Sequence, residues 1–164
     1  MAEINTPKFL TEVLAKKAVQ TVLDALMTPT FGLLKRNACH IIILVPSRSN
    51  SFPNSSTPPQ ILYEVSVGKE EWSADYRQIA TGKARQLWED RTDGRTDIQP
   101  HLLFCGDTRY WGGVKRDGIV VACSGVQPWF DMMISGMIAD MLIGMAYDAW
   151  KNSSEHKEEA AFLT

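Results

Sequence analysis

Asp117-Gly118 stands between two short segments, "GGVKR" (112–116) and "GIVVACSG" (118–125). Few dipeptides restrict a chain more: both residues accept the positive φ that a tight hairpin turn requires, so the flanking segments are expected to pair antiparallel. Pro128 follows closely, and from there to about Trp150 the chain is apolar and free of breakers. This predicts a long final helix fed directly by the hairpin, with proline in its first turn and Asp131 favourably placed near its positive end.

The remaining elements are read from periodicity and punctuation. Thr6-Pro7 has the chemistry of a helix start, and Leu10, Leu14 and Ala18 recur at helical spacing, with Pro29 and Gly32 as the stop. "ACHIIILVP" predicts a strand buried on at least one face, and "ILYEVSVG" (61–68) its antiparallel partner. Between them, "PSRSNSFPNSSTPPQ" (46–60) is too rich in proline and serine for helix or central strand, so a flexible loop is expected. Ser73 is read as the cap of a second helix, with Asp75 near its N-terminus. "RTDGRTDIQP" (91–100) is turn chemistry, "HLLFC" (101–105) predicts a short strand, and residues 151–164 a frayed polar tail. The order helix, strand, strand, helix, three strands, helix is α+β: one domain over residues 1–150 built on an antiparallel sheet flanked by helices.

Composition narrows the partners. Seventeen basic and nineteen acidic residues are interspersed for a net charge of −2, which leaves little phosphate-neutralising surface for nucleic acid. No uninterrupted apolar run of about 18 residues occurs, so no membrane span is expected. Cys39, Cys105 and Cys123 are an odd number without CxxC spacing, and the first residues lack a signal-peptide pattern, so a cytoplasmic, reducing location is expected. There is no GxSxG, P-loop, GxGxxG or HExxH, and the three histidines have no metal-ligand spacing, so no metal site is expected.

Lys83 is the residue that composition does not explain. Tyr76, Ile79, Ala80, Leu87 and Trp88 define an apolar stripe on the second helix, and Lys83 falls inside it. Such a lysine either covers apolar surface with its stem and reaches water, or serves as an ammonium at a pocket, holding an anion or moving a proton. Asp131 is its candidate partner, although the helix dipole alone accounts for an acid there. Arg109, Tyr110 and Trp111 form a cation–aromatic run suited to holding a carboxylate against a ring, or equally to a strand edge. Gly112, Gly113, Ser124 and Gly125 are expected first for backbone reasons, close approach of another chain segment, and second as the lip of a site. Met133, Met137, Met141 and Met145 make a continuous edge on the last helix, suited to core or subunit packing, or to a soft wall for a flat ligand.

The last third, "GGV…DGIVVACSGV…D" running into an apolar helix, resembles the GlcG/HbpS family, the haem-degrading group. The matching positions are Gly112, Gly113, Ser124, Gly125 and Asp131, and "IATGKARQLW" is similar to that family's Ala-Arg-x-Lys-Ala helix at Lys83 and Ala84. Element order agrees over roughly residues 7–150. The resemblance implies a profilin-like fold, a homo-oligomer, and a small-molecule ligand that is either a tetrapyrrole (haem or corrinoid) or a small carboxylated metabolite. Three departures surround the expected pocket: Pro46 follows Val45 where the family has Val-Asp-x-x-Gly, Thr81 replaces an arginine, and "DTRYW" is more elaborate. Ligand identity therefore does not transfer. For haem, His40, His101, Cys39 and Cys105 are the available axial groups, none with an attachment motif. A cofactor-independent lyase or isomerase using Lys83 or Asp131, and a purely structural module, are the alternatives.

Overall fold

Asp117 and Gly118 take φ of 48° and 85° in the computed structural model, the left-handed pair that a two-residue hairpin needs. They join β3 (Gly113–Arg116) to β4 (Ile119–Ser124). The structure describes residues 5–48, 58–94 and 99–164. β1 (Cys39–Val45) pairs with β4 on one side and β2 (Gln60–Val67) on the other. The result is a four-stranded antiparallel sheet in the order β2-β1-β4-β3.

Helices cover both faces. α1 (Glu12–Leu26) and α3 (Pro128–Lys151) pack on one, where Ile41, Ile43, Val45, Val121 and Cys123 point. α2 (Tyr76–Trp88) packs on the other against Ile42, Leu44, Val120 and Ala122. This sandwiching explains why "CHIIILV" is apolar at successive positions rather than alternate ones: every residue of β1 is buried. The fold is α+β, as the element order implies.

Several local expectations are corrected. α1 begins at Glu12, not after Thr6-Pro7: Thr11 Oγ1 accepts the Leu14 N–H at 3.2 Å, while the Pro7 carbonyl closes a separate turn onto Leu10. α2 is capped by Asp75, whose carboxylate accepts the Gln78 N–H at 3.0 Å; Ser73 bonds the Tyr76 hydroxyl instead. "HLLFC" is not a strand. Pro100–Leu102 is one 3-10 turn, and the chain beyond it is held by Arg91, which bonds both the Leu102 carbonyl and Asp107. The apolar composition of 101–105 misled because Phe104 lies exposed on the Arg91 guanidinium rather than in a ladder.

The C-terminal segment carries a short helix and contacts with the rest of the chain. α4 (Ser154–Lys157) is capped by the Ser153 hydroxyl, Trp150 meets both Phe9 and His156 edge-on, and Glu155 pairs with Lys8. Residues 49–57 of the 46–60 loop and 95–98 of the 91–100 turn lie outside the described residues. The described ends of the longer loop are joined by the Ser47 hydroxyl donating to the Pro58 carbonyl at 2.6 Å. α3 is long and apolar enough, by length and composition, to cross a membrane.

Candidate functional site

α2 buries Tyr76, Ala80, Lys83, Ala84 and Leu87 along one stripe, so Lys83 leaves the helix pointing at the sheet. Its stem runs to the end of β4. There Nζ donates to the Cys123 carbonyl at 2.8 Å and to Asp131 Oδ2 at 3.0 Å. Asp131 arrives from the opposite face, in the first turn of α3, and its Oδ1 accepts the Val126 N–H at 3.2 Å. Both residues are 3% exposed. An ammonium has three donors, and among the described residues two are used.

Burial pushes the Asp131 carboxyl up to about 6, against the downward pull of the Lys83 charge and hydrogen bond and of the Val126 N–H. Desolvation thus outweighs an ammonium 3.0 Å away. The Cys123 thiol is pushed well up by the neighbouring Cys39 and by burial, so its sulfur offers no thiolate.

Gly112 sits against this pair. Its φ is +123°, and a β-carbon there would stand 2.6 Å from Asp131 Cβ, 2.8 Å from the Pro128 carbonyl oxygen and 3.3 Å from Lys83 Nζ. The position admits only glycine because the backbone itself closes over the ion pair. Gly113, next to it, would press a β-carbon to 2.8 Å from the Leu87 side chain.

On the outer side of Lys83 opens a narrow cleft also lined by Gln86, Arg109, Tyr110, Trp111, Gly112 and Gly113. Its interior volume is about 20 Å³, room for one water molecule. Arg109 and Tyr110 are exposed at its rim, with the guanidinium 5.2 Å from the ring centroid. Among the described residues no carboxylate pairs with Arg109.

Of the residues singled out in the sequence, Lys83, Arg109, Tyr110, Trp111, Gly112 and Gly113 come together in this cleft, with Asp131 behind Lys83. Ser124 and Gly125 do not line it. Ser124 is buried opposite His40. Gly125, at φ +143°, lets β1 approach: a β-carbon would lie 2.4 Å from the Ala38 carbonyl oxygen. Met133, Met141 and Met145 pack on the core shared with α1.

Two positioning groups escaped the sequence reading. Gln86 bonds both the Thr108 carbonyl (3.1 Å) and the Thr108 N–H (2.9 Å), fastening the 108–111 segment to α2. It lies three residues after Lys83 in the same buried stripe, so the polar-in-apolar signal that marked Lys83 also marks it. Arg91 and Asp107 form the second group, with Asp107 also accepting the Phe104 N–H at 2.7 Å. The Arg91 hydrogen bond holds the Asp107 carboxyl below the usual range. No periodicity links positions 91 and 107, so this pair had no signal in the sequence.

The haem candidates do not fit this cleft. None of the residues lining it is His, Cys or Met, and its enclosed interior has room for one water. His40 has both ring nitrogens engaged, with Ser66 and Glu64, and Cys39 is buried beneath Gly125. His101 and Cys105 are exposed in the 100–107 segment. Comparison of the chain with protein-family models, with curated proteins and with solved structures gives no match in any of the three.

Proposed function

We propose that this chain is an oligomeric small-molecule-binding protein of the GlcG/HbpS type, and that its ligand is a small carboxylated metabolite. The observation that carries this reading is the buried Lys83, with two ammonium donors satisfied and its side chain among those lining a cleft that Arg109 also lines. A carboxylate tip is the group that fits: it replaces one water, accepts from an ammonium already desolvated by the fold, and is met by a second cation outside. The body of the ligand lies at the rim against Tyr110 and Trp111. The first and last long helices share one face of an antiparallel sheet and the middle helix takes the other, an arrangement compatible with the profilin-like fold that the resemblance implies.

The lyase or isomerase reading draws on one observation, an Asp131 carboxyl raised to about 6, near the range in which a general acid or base works at neutral pH. Asp131 lies behind Lys83, so proton transfer to a ligand passes through the ammonium.

The test is ligand-observed NMR and calorimetry with a panel of two- to five-carbon mono- and dicarboxylates, run beside a haemin titration. Saturable carboxylate binding that is lost in Arg109→Ala, and in Lys83→Met where circular dichroism shows a folded chain, supports the reading. Saturable haemin binding with no carboxylate binding overturns it. Turnover of a bound acid, abolished by Asp131→Asn with binding kept, selects the enzyme.

A further inference from the structure

α3 is apolar over most of its surface, and a helix that is apolar all round is ordinarily buried on all sides. Here 39% of its most apolar stretch is buried within the chain. The outward residues form one stripe, Trp129, Met137, Asp140, Gly144 and Tyr147, with the half-buried Met133, which also packs on the core, between the first two. They are spaced at four and three and span five turns, about 27 Å. Trp129 is 55% exposed, Tyr147 62% and Met137 37%. The stripe's one charge, Asp140, is paired with Arg116 of β3 at 2.7 Å. The guanidinium also donates to the Gly136 carbonyl.

We infer that this stripe is the face on which a second copy of the chain docks, its α3 antiparallel to the first across a two-fold axis level with Ile138 and Ala139; the inference rests on the oligomeric reading above and names its contact. The stripe is complementary to itself about that level. The rise per residue brings Trp129 beside the second copy's Tyr147, Met133 over its Gly144, and Met137 beside its Asp140. Gly144 provides a vacancy for the methionine, because a β-carbon built on it meets nothing within 4 Å. The two-fold brings the two Asp140 carboxylates near one another, each already paired with its own Arg116. At about 150–250 Å² for an aromatic side chain, the exposed parts of Trp129 and Tyr147 offer roughly 200–300 Å² per copy, about a third of a standard interface's ~800 Å². Met137 and the Arg116 stem lie along the same stripe and extend it.

The test is light scattering and native mass spectrometry of the full chain from low concentration to about 100 μM, with Gly144→Glu and Met137→Glu. Gly144→Glu favours the helix and meets no neighbour, so the fold is kept while an unpaired charge enters the contact. The expected result is an assembled wild type, with self-association weakened about 100-fold or more in both variants. An assembled wild type with both variants equally assembled overturns this face and leaves the oligomer standing. A monomeric wild type overturns both. A monomeric wild type that floats with neutral phosphatidylcholine vesicles, and is released by both substitutions, overturns the second copy in favour of lipid.

Discussion

Lys83 and Asp131 belong to helices on opposite faces of the sheet, and they meet 3.0 Å apart past the end of β4. The pair therefore ties the two helical layers together where the sheet offers no further strand. Removing one partner of a buried ion pair leaves the other charge uncompensated, whereas removing both restores balance. Lys83→Met and Asp131→Asn are each expected to lower stability by about 3 kcal/mol. The double variant is expected to lose clearly less than the sum. Urea unfolding of the four proteins measures the coupling, and strictly additive losses would show that the pair does not act as a unit.

The Asp131 carboxyl also sets a pH dependence. Its folded value of about 6 lies above the unfolded value of about 3.9, so between these limits the native state holds the proton that the unfolded chain releases. The contribution is fully present below about pH 4 and falls away as pH rises through about 6, by about 3 kcal/mol in all. The carboxyl ¹³C resonance of Asp131 should titrate near 6. In Asp131→Asn this component of the stability profile should vanish. A carboxyl titrating at or below 4 would show that Lys83, not burial, governs the site.

Gly112→Ala is expected to be among the most damaging single-methyl additions in the chain. The new carbon would press on Asp131 Cβ at 2.6 Å and on the Pro128 carbonyl oxygen at 2.8 Å, from a positive φ. A loss of about 3 kcal/mol or more is expected, with the Lys83 contacts displaced. Gly144→Ala, at a helical position open within the single chain, should instead stabilise the dissociated chain by roughly 0.5–1 kcal/mol. Thermal unfolding of the two proteins side by side checks both signs, and a benign Gly112→Ala would mean that the backbone does not close tightly over the ion pair.

The features legible in the sequence were those with a local cause. Asp117-Gly118 announced its turn, the breaker-free stretch after Pro128 announced α3, and Lys83 stood out because a charge interrupts an apolar stripe. The features that were not legible depend on residues far apart in the chain. "HLLFC" has strand composition, yet the Arg91 contacts to Leu102 and Asp107 hold it as a turn. The polar tail meets Lys8 through Glu155 and Trp150 through His156, contacts that no pattern within residues 151–164 contains. Ser124 and Gly125 sit in a motif beside the site, but the structure uses them for the approach of β1.

His40 illustrates how a buried network fixes a protonation state. Glu64, itself held by Arg77, accepts from Nε2 at 2.9 Å, so the ring proton sits there and Nδ1 accepts from the Ser66 hydroxyl, also at 2.9 Å. Burial lowers the His40 pKa despite the upward pull of the Glu64 hydrogen bond and charge. A histidine depressed in the fold resists the proton that the unfolded chain accepts, so this contribution is present above about pH 6.5 and is lost as pH falls below it. Its slope opposes that of Asp131, and the two are separable only residue by residue. The His40 Cε1–H resonance should therefore titrate below about 6.5. Glu64→Gln, which removes the charge that favours imidazolium, should move it lower still. An upward shift in that variant would mean that the carboxylate is not what opposes desolvation at His40.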